Sequence, residues 1–133
     1  MQGAKTGPNA DLARQREVVD AFLAALRSGD FEGLLAVLDP DVVVHADDAV
    51  VASGGSREVR GARVWASQAI AFSRHARVMQ PALVDGSVGV VWAPHGRLAR
   101  VLRFTMARGR IAQIEVVADP TRLGEIDLAV LDD

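Results

Sequence analysis

The chain has no cysteine in 133 residues, which excludes a disulfide framework, a thiol nucleophile and a zinc-ribbon site. Tyrosine is also absent, which removes every phenol-based oxyanion donor or general acid. Neither sign of charge dominates. A formal net charge of -2 gives no basic footprint for nucleic acid. Lysine is nearly missing, one against fourteen arginines. Beside so many Ala and Val, that ratio reads as coding bias rather than phosphate recognition. No apolar run reaches the ~18 residues of a membrane span. Residues 1–10 lack the apolar core of a secretory signal. A cytoplasmic protein, without direct nucleic-acid or membrane contact, is the expectation.

Half of the residues are apolar and 24% are charged, a composition that builds one core and excludes wholesale disorder. The length is one domain's worth. Residues 1–10 (MQGAKTGPNA) read as a linker or tail, and 11–133 as the domain.

Asp11 is positioned to cap a helix over 11–28, with Leu12, Val19, Phe22, Leu23 and Leu26 on one stripe and Gly29 as its stop. Asp30 caps a short second helix, ended by Asp39-Pro40-Asp41. A strand follows over 42–46. The stretch 47–60, with Ser53-Gly54-Gly55-Ser56, reads as loop with a short strand at Val50-Val51. A third helix covers 62–75, placing Trp65, Ala69 and Phe72 on one face. Two hairpins follow. Strands 78–84 and 87–93 flank Asp85-Gly86, and strands 98–107 and 110–118 flank Arg108-Gly109. A last helical turn falls within 122–131. Three helices packed on an antiparallel meander make an α+β domain.

Two-residue hairpins fix register, so sheet faces follow by counting. One face collects Met79, Pro81, Leu83, Val88, Val90, Trp92, Val101, Arg103, Thr105, Ala112, Ile114 and Val116. This set is expected beneath the helices. The other face carries Leu102, Phe104, Met106 and Val117 among polar residues, and is apolar enough to suggest an interaction surface.

The order of elements and several strings resemble a known superfamily. Ala24-Ala25-Leu26-Arg27-Ser28-Gly29-Asp30, Leu38-Asp39-Pro40-Asp41-Val42, and Gly109-Arg110-Ile111 leading to Asp119-Pro120 are similar to the SnoaL-like (nuclear transport factor 2-like) cone fold, over about residues 11–125. The resemblance implies three N-terminal helices on a curved antiparallel sheet. A closer likeness is carried by Asp11-Leu12-Ala13-Arg14-Gln15-Arg16-Glu17-Val18-Val19-Asp20-Ala21-Phe22, by Arg57-Glu58-Val59-Arg60-Gly61 and by Val116-Val117-Ala118-Asp119-Pro120-Thr121-Arg122-Leu123. These strings resemble the C-terminal SnoaL-like domain of actinobacterial extracytoplasmic-function (ECF) sigma factors. Gln2-Gly3-Ala4 resembles the linker before it. The resemblance implies a stand-alone or excised regulatory domain that stands in for a separate anti-sigma protein. In that family a Gly-rich loop and an Asn/Asp-Pro-x-Lys/Arg-Leu segment contact the sigma core. They map to Gly54 and Gly55, a shorter glycine run than the family's, and to Asp119, Pro120, Arg122 and Leu123. With Leu102 and Phe104 these form the expected interface, toward sigma-core regions or a second copy of the chain.

Isomerases of this superfamily place a tyrosine and two aspartates where this sequence has Phe22, Ala46 and Val101, all apolar. An acid–base enzyme is therefore the rival reading, with Asp47, Asp48, Arg103 and a water in the working roles. Arg103, alone among valines, is expected to need a carboxylate such as Asp47, an anionic ligand or an exit to water. The expected apolar pocket for a small hydrophobic ligand is lined by Phe22, Ala46, Trp65, Phe72, Val90, Trp92, Val101, Arg103, Ile114 and Val116. His45, His75 and His95 do not cluster and no ligating motif occurs, so no metal or cofactor is expected.

Overall fold

The computed structural model describes residues 8–71, 78–129 and 131. Helix α1 (Pro8–Ser28) starts inside the expected tail, because proline is suited to a first helical turn and Asp11 favours the positive end of the helix dipole. Gly29 ends it at φ +69°, a left-handed conformation that suits glycine. Asp30 then caps α2 (Phe31–Val37), its carboxylate accepting from the Gly33 amide at 3.0 Å.

Strand β1 (Leu38–Ala46) follows α2 directly and so takes in Asp39-Pro40-Asp41, starting earlier than the expected 42, and its pairing with the strand over 110–117 is irregular between Leu38 and Val43. The expected loop over 47–60 is half ordered. Asp47 caps a short helix, α3 (Asp48–Ala52), which replaces the strand expected at Val50-Val51, and β2 (Glu58–Arg60) pairs with β1. Helix α4 (Ala62–Ile70) matches the start of the third helix. The rest of that helix, and with it Phe72, lies outside the described residues.

Strands β3 (Met79–Val84), β4 (Ser87–Trp92), β5 (Arg100–Ala107) and β6 (Arg110–Val117) form the meander. Both turns have two positive φ values, 49° and 88° at Asp85-Gly86 and 56° and 78° at Arg108-Gly109, which match the twist of hairpin strands. Helix α5 (Pro120–Glu125) and β7 (Leu128–Ala129) close the chain, β7 pairing with β3. The seven-stranded sheet has the order β2-β1-β6-β5-β4-β3-β7, with β1 parallel to β6.

The main core lies between the helices and one sheet face. Phe22, Leu23 and Leu34 from the helices meet Val42, Val90, Leu102 and Ile114 from the strands. Phe22 is fully buried, stacked on Trp65 at 5.8 Å and edge-on to Phe104 at 5.4 Å between ring centroids. Behind the sheet, Val84, Val101, Val117 and Leu123 form a smaller core under α5.

One strand is inverted relative to the expectation. Val90 and Trp92 on β4, and Ile114 and Val116 on β6, face the helices as counted. On β5 it is Leu102 and Phe104 that join them, while Val101 and Arg103 turn to the opposite face. The cause is a β-bulge. Thr105 pairs with Gln113 and Met106 with Ile111, so Ala112 is an extra residue on β6. One inserted residue exchanges the faces of everything beyond it. The apolar interaction surface expected from Leu102 and Phe104 is therefore interior, and Val117 is covered by α5.

Gly89 marks a close approach in this sheet. A Cβ there would stand 2.6 Å from the Leu102 carbonyl oxygen and 2.8 Å from Val84 Cγ2. Gly89→Ala is expected to destabilise the fold by about 1–3 kcal/mol, as overpacking does. Thermal unfolding followed by circular dichroism measures it, and an unchanged midpoint contradicts the β4–β5 spacing.

Candidate functional site

A cavity of about 560 Å³ opens between the helices and the sheet. Its walls are mainly apolar: Phe22 and Leu26 from α1, Trp65 and Ala69 from α4, Val44 and Ala46 from β1, and Trp92, Leu102 and Val116 from the meander. A volume of this size suits a small organic molecule, and an apolar wall with few polar groups is typical of such sites.

The loop after α3 supplies Ser53, Gly54, Gly55 and Ser56 to the lining, and Gln68 and Arg100 add polar groups. Arg100 begins β5 opposite Trp92 and so shares the helix-facing side. Its guanidinium carbon lies 5.6 Å from the Trp92 ring centroid, and Nη2 donates to Ser53 Oγ at 3.0 Å. Among the described lining residues there is no carboxylate and no histidine.

Next to this loop, Asp47 ties two segments together. Its side chain is 7% exposed. Oδ1 accepts from the Val50 amide at 3.1 Å, and Oδ2 accepts from the amides of Ala118 and Asp119, both at 2.9 Å. Burial opposes the charged form. The amides of Asp119, Ala118 and Val50, with the Arg122 guanidinium, outweigh it and hold the carboxyl below its ordinary range. Arg122 sits 3.8 Å from Asp47 and donates to Glu115 at 2.8 Å. The Glu115 hydrogen bond is the main cause of a raised Arg122 pKa, despite partial burial. Arg103 continues the line of charges, 3.6 Å from Glu115 and 3.1 Å from Asp85.

Of the residues expected around the pocket, Phe22, Ala46, Trp65, Trp92 and Val116 line the cavity. Val90 and Ile114 are fully buried in the core and do not line this cavity. Val101 and Arg103 are on the far side of the sheet. The rival catalytic residues are not brought together: Asp47 is consumed by backbone amides, Asp48 is 88% exposed and bridged to Arg57 at 2.7 Å, and Arg103 faces away. Asp47, expected as one partner for Arg103, instead faces Arg122. Of the expected interface residues, Gly54 and Gly55 stand at the cavity, while Asp119 caps α5, Pro120 opens it and Leu123 is its buried side chain, packed with Val84, Val101 and Val117. Sequence reasoning missed Arg100 as an interior residue, because its orientation follows from the inverted β5. Among the described residues no group of three metal-ligating side chains occurs, and no helix is long and apolar enough to cross a membrane.

No family model matches the chain. An NTF2-like protein of Cytophaga hutchinsonii superposes with a TM-score of 0.54 at 15% identity, over 83% of this chain and 94% of that one. The fold is the nuclear transport factor 2-like cone. Within that fold, the sequence points more narrowly. The chain is 31% identical over 120 residues to a probable ECF RNA polymerase sigma factor, SigI of Mycobacterium tuberculosis, covering 90% of this chain and 40% of the relative. The crystal structure of the ECF sigma factor SigJ of Mycobacterium tuberculosis matches with a TM-score of 0.64 at 25% identity, over 83% of this chain and 44% of that one. The chain thus spans less than half the length of either sigma factor, and resembles their SnoaL-like portion.

Proposed function

We propose that this chain is a non-catalytic regulatory domain that docks onto the promoter-reading regions of an ECF-type sigma factor, and that its cavity takes a small hydrophobic molecule. One observation carries the docking surface. The two segments that the resemblance implicates, the glycine loop and the Asp119–Leu123 stretch, are distant in sequence; Asp47 ties the amides of Ala118 and Asp119 to that of Val50 in α3, and the Val50 carbonyl in turn accepts from Gly55 N at 3.0 Å. The likeness to SigI along 90% of this chain supports the partner class. A lining without carboxylates among its described residues favours binding over acid–base chemistry. Gly54 and Gly55 belong both to the cavity lining and to the docking loop, so occupancy of the one bears on the other.

The test is calorimetric titration of the chain with the promoter-reading regions of an ECF sigma factor from the same genome. A dissociation constant of about 10 μM or tighter is expected, and absence of binding at ~200 μM overturns the reading. Thr121, exposed at the start of α5, offers a surface probe that leaves the core alone. Thr121→Trp is expected to weaken the complex by about tenfold or more. Light scattering of the chain alone separates self-pairing from sigma-factor docking.

A further inference from the structure

We infer that the cavity selects an amphipathic monoanion, its apolar body against Phe22, Trp65 and Leu102 and its single anionic group on Arg100 at the polar rim. This inference rests on reading the cavity as a ligand site, and its test needs no sigma factor.

The charge pattern singles out Arg100. Arg103 and Arg122 are each held by carboxylates. Arg100 instead meets a neutral hydroxyl, Ser53 Oγ, and the face of Trp92. Among the described lining residues it is the one charged side chain. A guanidinium carries five N–H donors in a planar fork, and the bond to Ser53 uses one of them. The fork matches a carboxylate or sulfonate that accepts two parallel bonds. A cation beside low-dielectric walls attracts an anion more strongly than it would in open water.

The wall chemistry limits the rest of the ligand. Its apolar part replaces water against aromatic and aliphatic side chains, which favours rings or a chain over a sugar or nucleotide. One cation offsets one negative charge, so a polyanion would bury uncompensated charge. A neutral molecule of the same shape would gain the apolar contacts and forgo the charge-assisted bonds. A cationic one would be repelled.

Two fluorescent probes with the same ring system test this on the full chain without any partner: 8-anilinonaphthalene-1-sulfonate, which is anionic, and N-phenyl-1-naphthylamine, which is neutral. The anion is expected to bind about tenfold tighter at low salt. Arg100→Gln removes the charge, and is expected to weaken the anion by about tenfold while leaving the neutral probe within about twofold. Arg100→Lys keeps the charge without the fork, and is expected to recover part of that loss. Ala46→Leu narrows the cavity without altering charge, and is expected to weaken both probes alike. Dodecanoate is expected to displace the anionic probe more effectively than dodecanol. Equal affinity of the wild type for the two probes, equal losses in Arg100→Gln, or binding of neither probe overturns the inference. These outcomes leave the Thr121→Trp result standing, so failure here is distinguishable from failure of the docking reading.

Discussion

Replacing Asp47 with alanine is expected to lower folding stability by about 3 kcal/mol, because it strands three amides that a charged acceptor now satisfies. The amides belong to Val50, Ala118 and Asp119, and each bond is 3.1 Å or shorter. Leaving a buried donor unpaired costs ~1–3 kcal/mol, and these donors are partly buried, which favours the low end for each. Arg122 loses one of its two ion-pair partners at the same time. Asp47→Asn keeps the shape and one acceptor oxygen for Ala118 and Asp119 but turns an NH2 toward the Val50 amide, and is expected to lose about 2 kcal/mol. Urea unfolding measures both. A stability change below ~0.5 kcal/mol in Asp47→Ala would mean the carboxylate does not hold these amides in solution. Asp47→Ala also frees the start of the Asp119–Leu123 stretch from α3, the helix that leads into the glycine loop, so sigma-factor docking is expected to weaken with it.

The pH dependence follows from the direction of the Asp47 shift. The unfolded carboxyl titrates near its ordinary value of 3.8, and the folded one below that. Between those two values the unfolded chain binds the proton more readily, so acid favours unfolding. The contribution of Asp47 is complete above the ordinary value and disappears as pH falls through the folded pKa. The stability gap between wild type and Asp47→Asn is therefore expected to be widest near neutrality and to shrink below about pH 4. A gap that grows on acidification contradicts the assignment.

Local chemistry made much of this fold legible in advance. Asp30 caps the helix it was expected to cap, and Asp85-Gly86 and Arg108-Gly109 turn the hairpins they were expected to turn, since each depends on residues within reach of one another. The face of β5 was not legible from hairpin counting. It depends on whether Ala112 is inside the ladder or bulged from it. One signal was present: Ile111 and Ile114 are both fully buried, yet stand three apart, a spacing that strict alternation forbids. Helix α3 is not legible in the sequence because five residues carry no periodicity, and Ser53-Gly54-Gly55-Ser56 dominates the local composition. The cavity was half legible. The aromatic and β1 positions come from the resemblance and from helix faces, whereas Arg100 enters it only through the bulge. Arg103, an arginine among valines in the sequence, is a rung in a surface line of charges in the structure.

The inverted strand has a thermodynamic signature. Phe22→Ala is expected to cost about 4 kcal/mol, since the ring is fully buried and its loss opens a hole between Trp65 and Phe104. Phe104→Ala discriminates between registers. With β5 as observed, the ring is partly buried against Phe22, and truncation is expected to cost about 2 kcal/mol. With Arg103 inward, Phe104 would stand in solvent and the same substitution would be nearly neutral. Arg103→Ala gives the opposite test. Its two ion pairs are exposed, so a loss of no more than about 1 kcal/mol is expected. A buried arginine stripped from its partner would cost several times that. The double variant of Phe22 and Phe104 completes the cycle. Edge-to-face rings couple by about 0.5–1.5 kcal/mol beyond the area they bury, and that coupling exists only if both side chains occupy the space between the helices and the sheet. Additive losses together with a costly Arg103→Ala would return β5 to the unbulged register and remove Arg100 from the cavity.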